Sequence, residues 1–150
     1  MYPLMRKRAE EAYRGFGMEP HFVSASTVEE LVTALSGPEL RLHAMDVDVD
    51  FGSADAAVLM RAAARRGIPV VALGRPLVAA GALASFDVDR RDQSRRVAAM
   101  IDKVLRGASP ASNPVEQPAS FVLLLNAKAA AAAGIEIPRA LVLRADEVVH

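Results

Sequence analysis

The sequence predicts an α/β domain, with helices packed on a mostly parallel sheet of four or five strands. Three observations point there. Short apolar runs suited to strands alternate with helix-length segments, a spacing that implies crossover connections and therefore parallel pairing. The run Ile68-Pro69-Val70-Val71-Ala72-Leu73 is continuously apolar, as a strand covered on both faces requires. Of the 150 residues, 52% are hydrophobic but only 5% aromatic, so the core must be built from Ala, Val and Leu. A chain of this length fits one domain and buries roughly 70% of its unfolded surface.

The elements follow in order. Leu4, Ala9, Ala12, Tyr13 and Phe16 recur at helical spacing up to a stop at Gly17. His21-Phe22-Val23 reads as a short strand. Ser26-Thr27-Val28-Glu29 supplies a cap and an acidic first turn for a helix that ends near Ser36-Gly37-Pro38. Leu40 to Val49 is the next extended segment, and Ser53 can cap an alanine-rich helix reaching Arg66-Gly67. After the strand at 68–73, GRPLVAAGAL reads as a glycine-punctuated turn, with Gly74 and Gly81 as its turn residues. Ala84-Ser85-Phe86 is then a short strand, and a charged helix runs from about Asp89 to Arg106 with Gly107 as its stop. ASPASNPVEQPAS is a proline-rich connector. Strand Ser120 to Leu125, a helix from Ala127 to Ala133 stopped by Gly134, and a short helix started by Pro138 complete the chain.

Charge and composition narrow the function. Eighteen basic residues balance eighteen acidic ones, so no net field draws the chain to nucleic acid or an anionic membrane. Cysteine is absent, which removes disulfides, thiolate metal sites and thiol nucleophiles. The opening MYPLMRKRAEEAYRGFG places charges where a secretory signal needs an apolar run, and no stretch reaches ~18 uninterrupted apolar residues. A soluble chain is expected, and its own residues assign no compartment.

HAMDVDVDFGSAD carries the densest chemistry. On an extended chain Asp46, Asp48 and Asp50 project to one side, and three like charges within a sheet face would repel one another. They belong at the carboxyl end of a strand, in the crevice where parallel sheets bind ligands. Three readings stand: an exposed acidic strand end, a ligand contact by one carboxylate, or a magnesium-dependent phosphotransferase of the haloacid-dehalogenase type using Asp48 and Asp50. The third lacks a matching Lys and a later acidic metal pair. GRPLVAAGAL has neither Gly-x-Gly-x-x-Gly nor Gly-Lys-Ser/Thr, no Gly-x-Ser-x-Gly elbow occurs, and His21, His43 and His150 stand at no metal-ligand spacing. Arg90-Arg91 and Arg95-Arg96 read as a solvated helix face. No cofactor is expected.

The tail is more specific. GALASF, a helix ending MIDKVLRGASP, then PVEQP, SFVLLLN, AAAAAGIEIP and RADEVVH follow one another in the order and spacing of "GGL-x-SYG", "KIL-G-x-x-P", "PVEQP", "F-x-L-V-IN", "A-x-x-LG-x-x-IP" and "RADEVI". Those motifs mark the ABC-transporter substrate-binding proteins of the tryptophan/tyrosine-binding type, which the chain resembles most from Gly74 to His150. RAEEAYRGFGME, TVEELVTAL and ARRGIPVVA extend the likeness, more weakly, toward Met1.

The resemblance implies a Rossmann-like three-layer sandwich corresponding to one lobe of a type I periplasmic binding protein. About 1–84 would form the second-lobe core, and about 85–150 the hinge and return segments of a single α/β domain. Such proteins are roughly twice as long, so the resemblance implies that this chain corresponds to the second lobe without the first lobe's own sequence. The implied function is non-enzymatic: binding a small organic solute, such as an amino acid, in an interlobe cleft for an ABC permease outside the cytoplasm, without nucleic acid. Asp48 or Asp50 falls near a family aspartate at the cleft end of a strand, and Ser53, Gly81, Ser85 and Phe86 complete the implied ligand contacts. Phe86 replaces the usual Tyr, losing a hydroxyl, and Asp87 replaces the usual Gly, a position expected to prefer positive φ. Glu116 and Asn126 are implied hinge and connector residues that satisfy backbone groups. Exposed apolar surface on the return segments implies a homo-oligomer or segment-exchanged dimer. A ligand-free structural α/β domain is the remaining alternative.

Overall fold

The computed structural model describes residues 3–37, 41–47 and 53–150. The chain divides into two compact units, Met1–Arg41 and Leu42–His150. In the first, α1 (Pro3–Gly15) and α2 (Val28–Leu35) are the regular elements. α2 starts where its cap dictates: the Thr27 hydroxyl accepts from the Glu30 N–H at 3.2 Å, and the Glu30 carboxylate accepts from the Ser26 N–H at 2.7 Å. His21-Phe22-Val23 is not a strand. A strand needs a neighbour for its backbone groups, and this segment has no ladder partner among the described residues; Val23 is exposed and Phe22 carries the Arg6 guanidinium 5.0 Å from its ring centre.

The second unit holds a five-stranded sheet in the order β1 (Met45–Val47), β2 (Val70–Ala72), β3 (Ala84–Val88), β4 (Phe121–Asn126) and β5 (Glu147–Val149). Pairing is parallel for β1–β2, β2–β3 and β4–β5, and antiparallel for β3–β4. The expected mostly parallel α/β architecture is present. The antiparallel step arises because α5 (Arg90–Leu105) and the connector after it return the chain to the edge it left. The Asp89 N–H donates to the Ser120 carbonyl at 3.0 Å, and the Ser120 hydroxyl donates to Asp92 Oδ2 at 3.1 Å, so the two ends of the excursion are pinned together.

One sheet face is well packed. α3 (Ser53–Arg65) presents Ala56, Leu59, Met60 and Ala63 at i, i+3, i+4 and i+7, all buried, against α4 (Arg75–Ala80) with its buried Leu77 and Val78. Beneath them lie Val47, Val70, Ala72, Ser85 and Leu124. α4 replaces what the sequence presents as a turn: Gly74 at φ +83° and Gly81 at φ +122° bracket it, and six residues are too few for periodicity to register. At Gly81 the positive φ, not crowding, favours glycine, since a Cβ there would meet the Met60 Cβ at an ordinary 3.7 Å.

The opposite face is more open, which corrects the expectation of a strand covered on both sides. Register aligns Asp46, Val71 and Ala84 on this face, with Phe86 two residues along β3; Val71 is 40% and Phe86 59% exposed. α6 (Ala127–Ala132), α7 (Arg139–Val142) and their turns carry the chain from β4 to the parallel β5, a three-residue strand that the sequence pattern did not announce.

Candidate ligand-binding edge

The parallel strands β1, β2 and β3 end at a common edge, where ligands of open parallel sheets bind. β2 runs there into Leu73 and Gly74, and β3 into Phe86 and Asp87; β4, being antiparallel, starts there with Phe121. The loop after β2 is held by the side chain of Ser85, whose hydroxyl accepts from the Gly74 N–H at 2.9 Å. Ser85 is 1% exposed, so that bond satisfies a polar atom in the core while fixing the loop beside the edge.

Phe86 and Phe121 lie diagonally across the β3–β4 pair, because Phe86 faces Leu123 and Val88 faces Phe121 in register. Their rings stack with centroids 5.3 Å apart and planes at 14°. Both remain about half exposed, a flat apolar surface at the rim of the sheet. Asp87, next along β3, points to the other face. Its Oδ1 accepts from the Val88 N–H at 2.7 Å, and its Oδ2 lies 3.7 Å from the Arg90 guanidinium. Asp87 sits in extended backbone, and no non-glycine residue among those described has positive φ, so the expected strain at this position is absent.

The remaining candidates are distributed differently. Asp48 and Asp50 lie outside the described residues. Ser53 is the first residue of α3. Gly81 lies at the far end of β3 from Phe86, at the C-terminus of α4, so the two are not brought together. Glu116 engages a side chain where backbone groups were expected: its Oε2 accepts from Arg96 at 3.3 Å, tying the connector to α5. Asn126 is buried and bonds backbone at both ends of its amide, donating to the Val78 carbonyl at 2.9 Å and accepting from the Ala129 N–H at 2.8 Å as the cap of α6. His21, His43 and His150 are exposed.

Two features of the region went unread in the sequence. Phe121 sat inside a plain apolar run, and only the antiparallel pairing brings it beside Phe86. Arg75 and Glu147, far apart in the chain, form a two-pronged ion pair with N···O distances of 2.7 and 2.5 Å, joining the start of α4 to β5. The pair holds the Glu147 carboxyl below its usual range. The guanidinium of Arg96, aided by the Ser120 hydroxyl, does the same for Asp92. A cavity of about 120 Å³ lies just beyond the end of β3, between α5 and the connector, lined by Val88, Arg96, Val97, Met100 and Pro118. It is smaller than the roughly 300–1,000 Å³ of small-molecule sites. Among the described residues no group of three or more His, Cys, Asp or Glu is placed to hold a metal ion.

A family model described as ABC transporter substrate binding protein matches residues 22–149. The chain belongs to that family. No curated protein matches it. Solved structures similar to this binding-protein chain include a conserved domain protein from Vibrio cholerae, with a TM-score of 0.84 and 21% identity over 96% of this chain and 49% of that one. A second, from Streptococcus pneumonia, is an ABC domain in complex with L-Trp; its TM-score is 0.83 and its identity 24%, over 97% of this chain and 50% of that one. A third is a ligand-free, open substrate binding protein with adhesive properties from Clostridium difficile, with a TM-score of 0.69 and 20% identity over 97% of this chain and 49% of that one. This member of the family therefore spans about half the length of each. The match gives no support to a phosphotransferase built on Asp48 and Asp50.

Proposed function

We propose that the chain is one lobe of a solute-binding protein and contributes part of a site for a small organic solute, such as an amino acid, completed by a facing lobe. The observation that carries this reading is the stacked, half-exposed pair Phe86 and Phe121 at the carboxyl edge of a parallel sheet. A flat solute is held by stacking on an aromatic face while a few polar groups fix its ends. The related Streptococcus structure was solved with L-Trp, a solute of that shape. Residues 1–84 then serve as lobe core and 85–150 as hinge and return segments, with an ABC permease outside the cytoplasm as the eventual partner and no catalytic step. Because one lobe supplies only part of the contact, affinity for the chain alone is weak. Apolar side chains exposed on α5, Val97 and Ile101 among them, favour a second copy as the occupant of the uncovered surface.

Titration of isotope-labelled chain with L-tryptophan, followed by NMR, tests the site. Shifts are expected to concentrate at 73–75, 85–88 and 121, and Phe86→Ala should weaken binding roughly three- to tenfold. Shifts confined to α5, or absent at millimolar solute, would overturn the proposal.

A further inference from the structure

We infer, on the strength of the binding-edge reading above, that Arg75 and Glu147 are a positioning pair for that edge: their contact sets where the Leu73–Gly74 loop stands beside Phe86, and so governs affinity for a solute that neither residue touches. Strand register explains how two residues so far apart in the chain come to meet. Ala72 pairs with Ser85, Ser85 with Leu124, and Leu124 with Glu147, so one row crosses β2, β3, β4 and β5. Side chains in register share a face, and Ala72, Ser85 and Leu124 are all buried on the face that carries α4. Glu147 therefore stands on the α4 side, two strands from Ser85, where its carboxylate meets the guanidinium at the start of that helix.

The loop after β2 needs such a hold. It enters α4 through Gly74 at φ +83° and ψ 156°, and a glycine's own backbone freedom does little to keep it there. No side chain caps α4, and six residues give the helix little stability of its own. Contacts on two successive residues fix the entry instead. The Ser85 hydroxyl accepts from the Gly74 N–H at 2.9 Å, and Arg75 Nη1 and Nη2 donate to Glu147 Oε1 and Oε2 at 2.7 and 2.5 Å. Two parallel bonds between planar groups admit one relative placement, which a single ammonium contact would not impose. Their yield in global stability is small, because the two side chains are 61% and 41% exposed and water screens them. Placement is what the pair supplies. The residue it places is Leu73: Leu73 and Phe86 each lie one position beyond the last registered pair of β2 and β3, and both are exposed at the rim.

Hydrogen exchange at the Gly74 amide and titration with L-tryptophan, both followed by NMR, test this in three chains. These are the parent, Arg75→Lys, which keeps the charge but not the fork, and a double variant, Arg75→Glu with Glu147→Arg, which rebuilds the pair with the fork on β5. In R75K, exchange at Gly74 is expected to quicken and L-tryptophan to bind more weakly, each by roughly three- to tenfold, while the melting temperature moves by no more than about 4 °C. The double variant should return both readouts to within about twofold of the parent, a recovery that lost charge or lost packing alone does not predict. Parent-like exchange and affinity in R75K would overturn the inference and leave the binding edge standing. So would a loss that tracks a large drop in melting temperature and is not recovered in the double variant. No binding of L-tryptophan to the parent at millimolar concentration would overturn both.

Discussion

α4 has six residues and buries Leu77 and Val78; α5 has sixteen and buries none. The short helix exists because of what it touches. Too brief to be stable alone, it is held by α3, by the sheet and by Asn126, whose amide reaches the Val78 carbonyl. The long helix rests on local chemistry instead: Asp89 caps it, and the Asp92–Arg96 and Asp102–Arg106 pairs brace it at i, i+4 spacing. Length and capping establish that a helix forms, whereas burial establishes whether the rest of the fold depends on it.

Breaking the packed side should have the largest effect. Leu77→Ala removes a side chain that is 2% exposed and should cost about 2–5 kcal/mol in urea unfolding. Asn126→Ala comes next, at about 2–3 kcal/mol by the same measurement, because it removes the cap of α6 and strands the Val78 carbonyl without its donor.

A smaller effect belongs to acid. Glu147 titrates below its ordinary value of 4.5 because Arg75 bonds and attracts it, so its contribution to stability is present above that value and is lost as pH falls through the lowered one. Asp92, lowered from 3.8 chiefly by Arg96, adds to the same slope further down. Glu147→Gln should therefore flatten the fall in melting temperature below pH about 4.5 while leaving the Asp92 part in place. These groups keep partial contact with solvent, which keeps the change modest. The smallest change in stability is expected from Ile101→Ser on α5, within about 0.5 kcal/mol, yet this variant should reduce concentration-dependent association in light scattering. Loss of several kcal/mol in Ile101→Ser, or none in Leu77→Ala, would reverse the contrast between the two helices.

Much of this was legible in the chain. Thr27 and Asp89 stand where helices were expected to begin, and the alanine-rich helix expected after Ser53 is α3. The motifs from Gly74 to the C-terminus pointed to the family that the match over residues 22–149 establishes. The site was less legible. Ser85 and Phe86 read as partners on one strand, but alternation sends them to opposite faces, one into the core and one to the rim. Phe121 registered only as the aromatic residue of the SFVLLLN motif, and nothing in the chain placed it beside Phe86.

The sequence alone determined where helices start, which helical stripes are apolar and which family the motifs belong to, because caps, periodicity and motif spacing are all local in the chain. Only the tertiary structure decided that β4 runs antiparallel to β3, that α4 is a helix, and that Phe121 stacks on Phe86 beside a Gly74 loop held by Ser85. Those outcomes depend on contacts between residues far apart in sequence, whose free energy is settled by which surfaces can be buried together and not by any one segment's preference.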